Sequence, residues 1–73
     1  MDIHHLVKMA NQIGQFFESE PDQQQAVQDI ATHIKRFWDP RMRKTLIGHI
    51  ENGGAGLLPI VMKSLQENQE SLV

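Results

Sequence analysis

Cysteine is absent from this 73-residue sequence, and so is any long hydrophobic run. Without cysteine the chain can form no disulfide framework, cannot hold an iron–sulfur cluster through thiolates and has no thiol nucleophile. No apolar stretch approaches the roughly 20 residues needed to span a bilayer. The opening residues carry neither the basic nor the apolar stretch of a secretory signal. We therefore expect a cytoplasmic protein that is not inserted in a membrane.

The composition is that of an ordinary globular protein, with 40% hydrophobic and 22% charged residues. At 8.4 kDa the chain is one small domain. Such a domain removes only about 60% of its unfolded surface from water, so its core is small and its stability marginal. A partner protein can supply part of what the core lacks.

Positive charge is concentrated in one short segment of an otherwise acidic chain. The formal net charge is -2, yet five of the seven lysines and arginines fall between residues 35 and 44. The acidic balance argues against bulk attraction to nucleic acid. We expect electrostatic recognition to use the basic segment, whose cations are Lys35, Arg36, Arg41, Arg43 and Lys44.

Apolar residues recur at the i, i+3, i+4, i+7 spacing of amphipathic helices almost throughout, and no segment alternates with period two. The pattern predicts helices over about 3–18, 23–38, 40–51 and 57–68. Asp2 and Asp39 are suited to cap helix N-termini, and Pro40 suits a first helical position. The fold class is therefore all-α, a small bundle of three to four helices. We expect a single domain over 1–65 and a polar, frayed tail over 66–73.

No catalytic, cofactor-binding or metal site is predicted on this chain. The four histidines lack the paired spacing of zinc ligands. The glycine-rich stretch 53–56 lacks the Lys-Ser/Thr pair of a phosphate loop, so a tight corner between helices is the simpler interpretation. Ser19 and Ser64 have no base beside them. We expect a protein that is not an enzyme.

The segment 33–43 is the one concentration of residues typical of interfaces. Tryptophan, arginine, methionine and phenylalanine are enriched where proteins bind one another, and all four occur around the Asp39-Pro40 corner. The simpler alternative is that Phe37 and Trp38 fill the core while the cations face solvent. From the residues alone both interpretations stay open.

A third interpretation is a helix-turn-helix that binds nucleic acid. The second and third predicted helices are joined by a short turn, and the third begins with cations. Its DNA-facing side chains would be Arg41, Arg43, Lys44 and Thr45. The acidic remainder of the chain and the proline at the corner argue against it.

Three motifs resemble the delta subunit of NAD-dependent, molybdenum-containing formate dehydrogenases. They are Met-Ala-Asn-Gln-Ile-Gly at 9–14, Phe-Trp-Asp-Pro-Arg-Met at 37–42 and Gly-Gly-Ala-Gly at 53–56. The resemblance extends over about 6–65. It implies an accessory subunit without a redox centre, bound to the catalytic alpha subunit and supporting its assembly, maturation or stability. The bis-molybdopterin guanine dinucleotide (bis-MGD) molybdenum centre, the iron–sulfur clusters and FMN would then be carried by the partner complex.

The motif positions are the candidate contacts with that partner. In this hypothesis Arg41 and Arg43 pair with carboxylates, Trp38 or Met42 supplies an apolar anchor, and the glycine corner allows close approach of another backbone. A stoichiometric subunit and a transient maturation factor both fit this description. The candidate partner-binding residues are His33, Arg36, Phe37, Trp38, Arg41, Met42, Arg43, Gly53, Gly54 and Gly56.

Overall fold

Aspartate side chains begin the first three helices of the protein. In the computed structural model, which describes residues 2–73, Asp2 accepts a hydrogen bond from the His4 backbone N–H at 2.9 Å. Asp22 accepts from two N–H groups at 3.1 and 3.2 Å in the same way. Asp39 accepts from the Met42 N–H at 2.9 Å. Each cap satisfies amide donors that have no partner inside the helix.

Residues 2–73 form five α-helices and no strand, which confirms the all-α class. The expected count of three to four helices is not confirmed. No helix within this range is both long and apolar enough to traverse a bilayer. The helices are α1 (Ile3–Phe17), α2 (Gln23–Phe37), α3 (Pro40–Glu51), α4 (Pro59–Glu67) and α5 (Gln69–Leu72).

All five helices and the α2–α3 junction contribute to one hydrophobic core, and the junction contributes Trp38. The apolar stripe that predicted each long helix is the face that enters this core. The members of the core are Leu6, Ala10, Ile30, Ala31, Ile34, Trp38, Leu46, Ile47, Ile50, Val61, Leu65 and Leu72.

The expectation of a frayed tail is wrong for α5. Leu72 is only 1% exposed and belongs to the core, and α5 packs against α2, α3 and α4. The Asn68 side chain donates to the Ser64 carbonyl at 2.8 Å and holds the turn between α4 and α5. Burial of one leucine side chain is worth about 1.5–3 kcal/mol and contributes to ordering this short segment. A four-residue helix is too short for its periodicity to be read from the sequence.

Helices α1 and α4 approach each other closely at Gly14. A Cβ atom there would lie 2.5 Å from Cγ2 of Val61, nearer than side chains pack. In α3, by comparison, a Cβ on Gly48 would meet no atom within 4 Å. The two helical glycines therefore differ in what surrounds them.

We expect Gly14→Ala to destabilise the protein by about 1–3 kcal/mol, because the added methyl group forces α1 and α4 apart. Gly48→Ala is the matched control and should stabilise by about 0.5–1 kcal/mol through helix propensity alone. Urea unfolding followed by circular dichroism measures both. Equal effects of the two substitutions would contradict the close packing at Gly14.

We expect Leu72→Ala to lower the free energy of unfolding by about 2–5 kcal/mol, the usual cost of a leucine-to-alanine truncation in a core. Val73→Ala is the control, since Val73 is 74% exposed and should change stability by less than about 0.5 kcal/mol. The same urea titration compares them. An unchanged midpoint for Leu72→Ala would show that the C-terminal segment is frayed.

Candidate docking site

An apolar groove of about 570 Å³ lies between α1, the end of α2 and the start of α3. We call it the aromatic groove. Its α1 side is one helical face, since the α1 residues recur at spacings of three and four. It is lined by Met9, Gln12, Ile13, Phe16, Phe17, His33, Phe37, Trp38 and Met42.

Two of its phenylalanines are largely in water. Phe16 is 76% exposed and Phe37 is 69% exposed. They face the groove from α1 and α2, respectively. The chain has only three phenylalanines and one tryptophan, and two of these aromatic rings are exposed at one groove. Exposed apolar patches of this kind mark sites of protein–protein interaction.

The aromatic rings form a continuous row from α1 to α2. Phe16 and Phe17 meet edge to face at 5.0 Å between ring centroids. Phe17 and His33 lie 6.3 Å apart, and His33 and Phe37 lie 4.7 Å apart. These distances are those of favourable aromatic pairs. The row therefore holds Phe16 and Phe37 in place, although their outer faces remain in solvent.

One cation, Arg36, lies beside the aromatic groove, and other cations of the basic segment are exposed. The Arg36 guanidinium carbon is 5.9 Å from the Phe37 ring centroid, within the range of a cation–π contact. Arg36 and Arg41 are both exposed, as are Lys35 and Lys44. The arginine and lysine charges of the basic segment are thus presented to solvent at the ends of helices that form the groove.

Arg43 differs from these four cations. It is half-buried, and its Nη1 donates to the Lys35 backbone carbonyl at 2.9 Å. That carbonyl lies in the last turn of α2, where a cation also complements the helix dipole. Arg43 therefore joins α3 to the end of α2 through Nη1, and its pairing with a partner's carboxylate stays a prediction.

Trp38 is 5% exposed and belongs to the core. Trp38 is therefore not available to anchor a partner in this structure. The core alternative is correct for Trp38 but not for Phe37, which is 69% exposed. Met42, the other anchor considered, is half-buried and lines the groove. The contact roles of Met42, Phe37, Arg36 and the other surface positions stay predictions.

The glycine corner 53–56 is not part of the groove lining. Gly54 is buried at a backbone φ of +65°, and a Cβ there would collide with the Met62 sulfur, so it cannot be a surface contact as predicted. Gly53 and Gly56 remain exposed. Asn11 holds the corner from α1, donating to the Gly56 carbonyl at 2.9 Å and accepting from the Leu58 N–H at 3.0 Å.

A second side chain holds the same corner from α3. A ring nitrogen of His49 lies 2.8 Å from the Ala55 carbonyl oxygen. The corner is thus bonded to two helices, which gives its shape a structural explanation. Within residues 2–73, no group of three or more histidine, aspartate or glutamate side chains could hold a metal ion.

The helix-turn-helix alternative loses two of its four DNA-facing side chains. Arg43 is engaged with the end of α2, and the Thr45 hydroxyl donates to the Arg41 carbonyl at 2.9 Å. Arg41 and Lys44 alone remain exposed. Base recognition from a helix needs several side chains free to reach the major groove, so this geometry does not favour nucleic-acid binding.

Comparison with known proteins agrees with the three motifs. Residues 5–65 match the model of the family described as the NADH-dependent formate dehydrogenase delta subunit FdsD. The chain belongs to this family. No curated protein and no solved structure matches it. The resemblance inferred from the motifs is thereby confirmed.

Two residues of the α1 wall of the aromatic groove, Phe16 and Phe17, lie outside the motifs from which the candidate contacts were predicted. A signal was present in the adjacent pair Phe16-Phe17. Neighbouring helical residues point about 100° apart, so two consecutive phenylalanines cannot both face the same narrow core stripe. Asn11 lies in the first motif, but its hydrogen-bond partners are 45 and 47 residues away in the sequence, so local patterns do not indicate its role.

We expect Trp38→Ala to destabilise the chain by about 3–5 kcal/mol, because it empties a large core position. Phe37→Ala, one residue earlier, should change stability by about 0.5 kcal/mol or less because the ring is mostly in solvent. Thermal unfolding by circular dichroism measures both variants. The assignment of Trp38 to the core would be contradicted by a stable Trp38→Ala variant beside a destabilised Phe37→Ala variant.

Proposed function

We propose that this chain is a non-catalytic accessory subunit that binds the catalytic alpha subunit of a molybdenum-dependent, NAD-linked formate dehydrogenase in the cytoplasm. The aromatic groove and the exposed cations beside it form the binding surface. The observation that carries the proposal is the exposure of Phe16 and Phe37 at one groove in a member of the delta-subunit family.

Burial of these two rings against a partner would contribute to the free energy of association. Each phenylalanine contributes about 1.5–3 kcal/mol when its side chain is fully removed from water. The row that includes Phe17 and His33 already orders the two rings. Less side-chain entropy is therefore lost on binding than for flexible surface residues.

The redox chemistry is assigned to the other subunits. The sequence has no cysteine to ligate an iron–sulfur cluster. The groove presents the side chains of Gln12 and His33 as its polar groups, a set that does not fit a molybdenum cofactor with its phosphates and guanines. The contribution of this chain is to bind its partner and thereby support the assembly, maturation or stability of the complex.

The marginal core of the chain agrees with a role inside a larger assembly. A partner that binds only the folded form of a protein stabilises that folded form by mass action. A delta subunit that covers an apolar region of the catalytic subunit would protect both surfaces from water. We therefore favour a stoichiometric subunit over a factor that leaves after maturation.

We expect the tagged chain, expressed with the other subunits, to purify with the catalytic subunit in equal amounts. Quantitative mass spectrometry of the active fraction measures the stoichiometry. An active enzyme that contains no delta chain would instead assign it to transient maturation. Absence of the catalytic subunit from every fraction that contains the tagged chain would contradict the proposed function itself.

A second measurement separates the possible benefits to the enzyme. Complex made without this chain is assayed for molybdenum content and for its rate of thermal inactivation. A normal molybdenum content with faster inactivation indicates a stabilising role, whereas a low content indicates a role in maturation. A complex equal to the wild type in both respects would contradict either role.

A further inference from the structure

We infer that the aromatic groove receives an amphipathic helix of the catalytic subunit, with apolar side chains against Phe16, Phe37 and Met42 and carboxylates facing Arg36 and Arg41. This inference rests on the proposed function and specifies the chemistry of the partner's surface. It follows from the backbone hydrogen bonds around the groove, from its size and from the charge beside it.

A partner segment that binds in the groove has to provide the hydrogen-bond partners for its own backbone N–H and C=O groups. At the α2–α3 junction the Trp38 N–H donates to the Ile34 carbonyl at 2.9 Å, and the Met42 N–H donates to Asp39. The Lys35 carbonyl accepts from Arg43. These bonds occupy backbone groups that an extended peptide would otherwise pair with.

The side chains that line the groove also offer few hydrogen bonds to the backbone of an extended peptide. The polar ones are Gln12 and His33 among nine lining residues. An extended segment laid along this surface would bury peptide groups without partners, at a cost of about 1–3 kcal/mol each. A helix pairs its peptide groups internally and presents only side chains. Helix-in-groove binding through anchors at i, i+3, i+4 and i+7 is the recurring solution for such a surface.

The volume of the groove agrees with side-chain anchors as its contents. Its 570 Å³ gives room for apolar side chains of a partner. Phe16 and Phe37 stand at its α1 and α2 walls, and Met42 lines it from α3. Methionine adapts its shape to the apolar groups it meets, so Met42 can close around the side chains of an entering helix.

The surface beside the groove selects for carboxylates. Arg36 stacks on Phe37, so a partner that covers Phe37 necessarily approaches the guanidinium. Arg41 is exposed one residue from Met42. Two acidic side chains lie near these arginines in sequence or in space. Asp39 already caps α3 through its carboxylate. Asp29 lines a smaller pocket together with Arg36 and Phe37, and its carboxylate accepts from the Gln25 side chain at 2.9 Å. A partner helix that carries Asp or Glu beside its apolar face would pair with these arginines, whereas a basic helix would be repelled.

A second copy of this chain is a poorer occupant. A symmetric dimer brings the same patch of both copies together. The patch that contains Arg36 and Arg41 in one copy would then face the patch that contains the same two cations in the other copy. Like charges placed opposite one another across an interface disfavour association. The charge of the patch therefore favours a different, acidic protein.

Site-specific photo-cross-linking tests the identity of the occupant. Phe37→p-benzoylphenylalanine, in the tagged full chain expressed with the other subunits, is irradiated in the purified complex, and the cross-linked peptide is mapped by mass spectrometry. We expect a catalytic-subunit helix with apolar residues three or four apart and Asp or Glu within one turn. Cross-links to a strand, to a helix without carboxylates or to another copy of this chain would overturn the inference.

Affinity measurements test the anchors and the charges separately. We expect Phe37→Ala to weaken binding to the catalytic subunit by about tenfold or more, as truncation of a central aromatic contact does. Arg36→Glu should weaken it strongly, while Arg36→Lys should retain most of it. Val73→Ala and Lys63→Glu change an exposed valine and an exposed lysine outside the groove and should leave binding unchanged.

Capture of the catalytic subunit by the wild-type chain distinguishes a failure of this inference from a failure of the proposed function. Circular dichroism verifies that every variant is folded. If the wild type captures the catalytic subunit and the groove variants bind equally well, the inference fails while the proposed function stands. If the wild type captures no catalytic subunit, the proposed function fails and the inference fails with it.

Discussion

The burial of Trp38 where α2 ends is the contact on which the proposed binding surface depends. Its backbone is extended, with φ −92° and ψ 139°, so the chain leaves the helix and consecutive side chains separate. Trp38 enters the core, while Phe37 stays in water. Asp39 and Pro40 then start α3 at once. This places Met42 in the groove and brings Arg43 to the end of α2. The burial of Trp38 therefore determines which side chains next to it in sequence are exposed and available to a partner.

The aromatic groove is a consequence of building a small bundle from long amphipathic helices. Helix α1 has 15 residues, and its deepest face, at Leu6, Ala10 and Gly14, is buried against the other helices. The adjacent face, which includes Met9 and Phe16, continues past the core as the wall of the groove. A 73-residue chain has too little mass to cover both faces. In this account the partner protein covers the second.

Local patterns predicted the helices well, because periodicity and caps act between residues close in sequence. Asp39-Pro40 marked the start of α3, where the structure places it. The missed features join distant residues. Leu72 reaches the core through the packing of α5 on other helices, and Asn11 holds a corner more than 40 residues away. The predicted segment 33–43 contains the residues that line the groove from α2, the α2–α3 junction and α3. Whether Trp38 or Phe37 entered the core depended on the backbone turn between them, which propensities do not specify.

Hydroxyl-radical footprinting tests the central claim most directly, because it reports the solvent exposure of individual side chains. The oxidation of Phe16, Phe37 and Met42 is compared between the free chain and the chain bound to the catalytic subunit. We expect these three to be strongly protected in the complex, while Val73 is oxidised equally in both. Unchanged oxidation of Phe16 and Phe37 in a complex that is fully bound would contradict the account, since the partner would then contact another face.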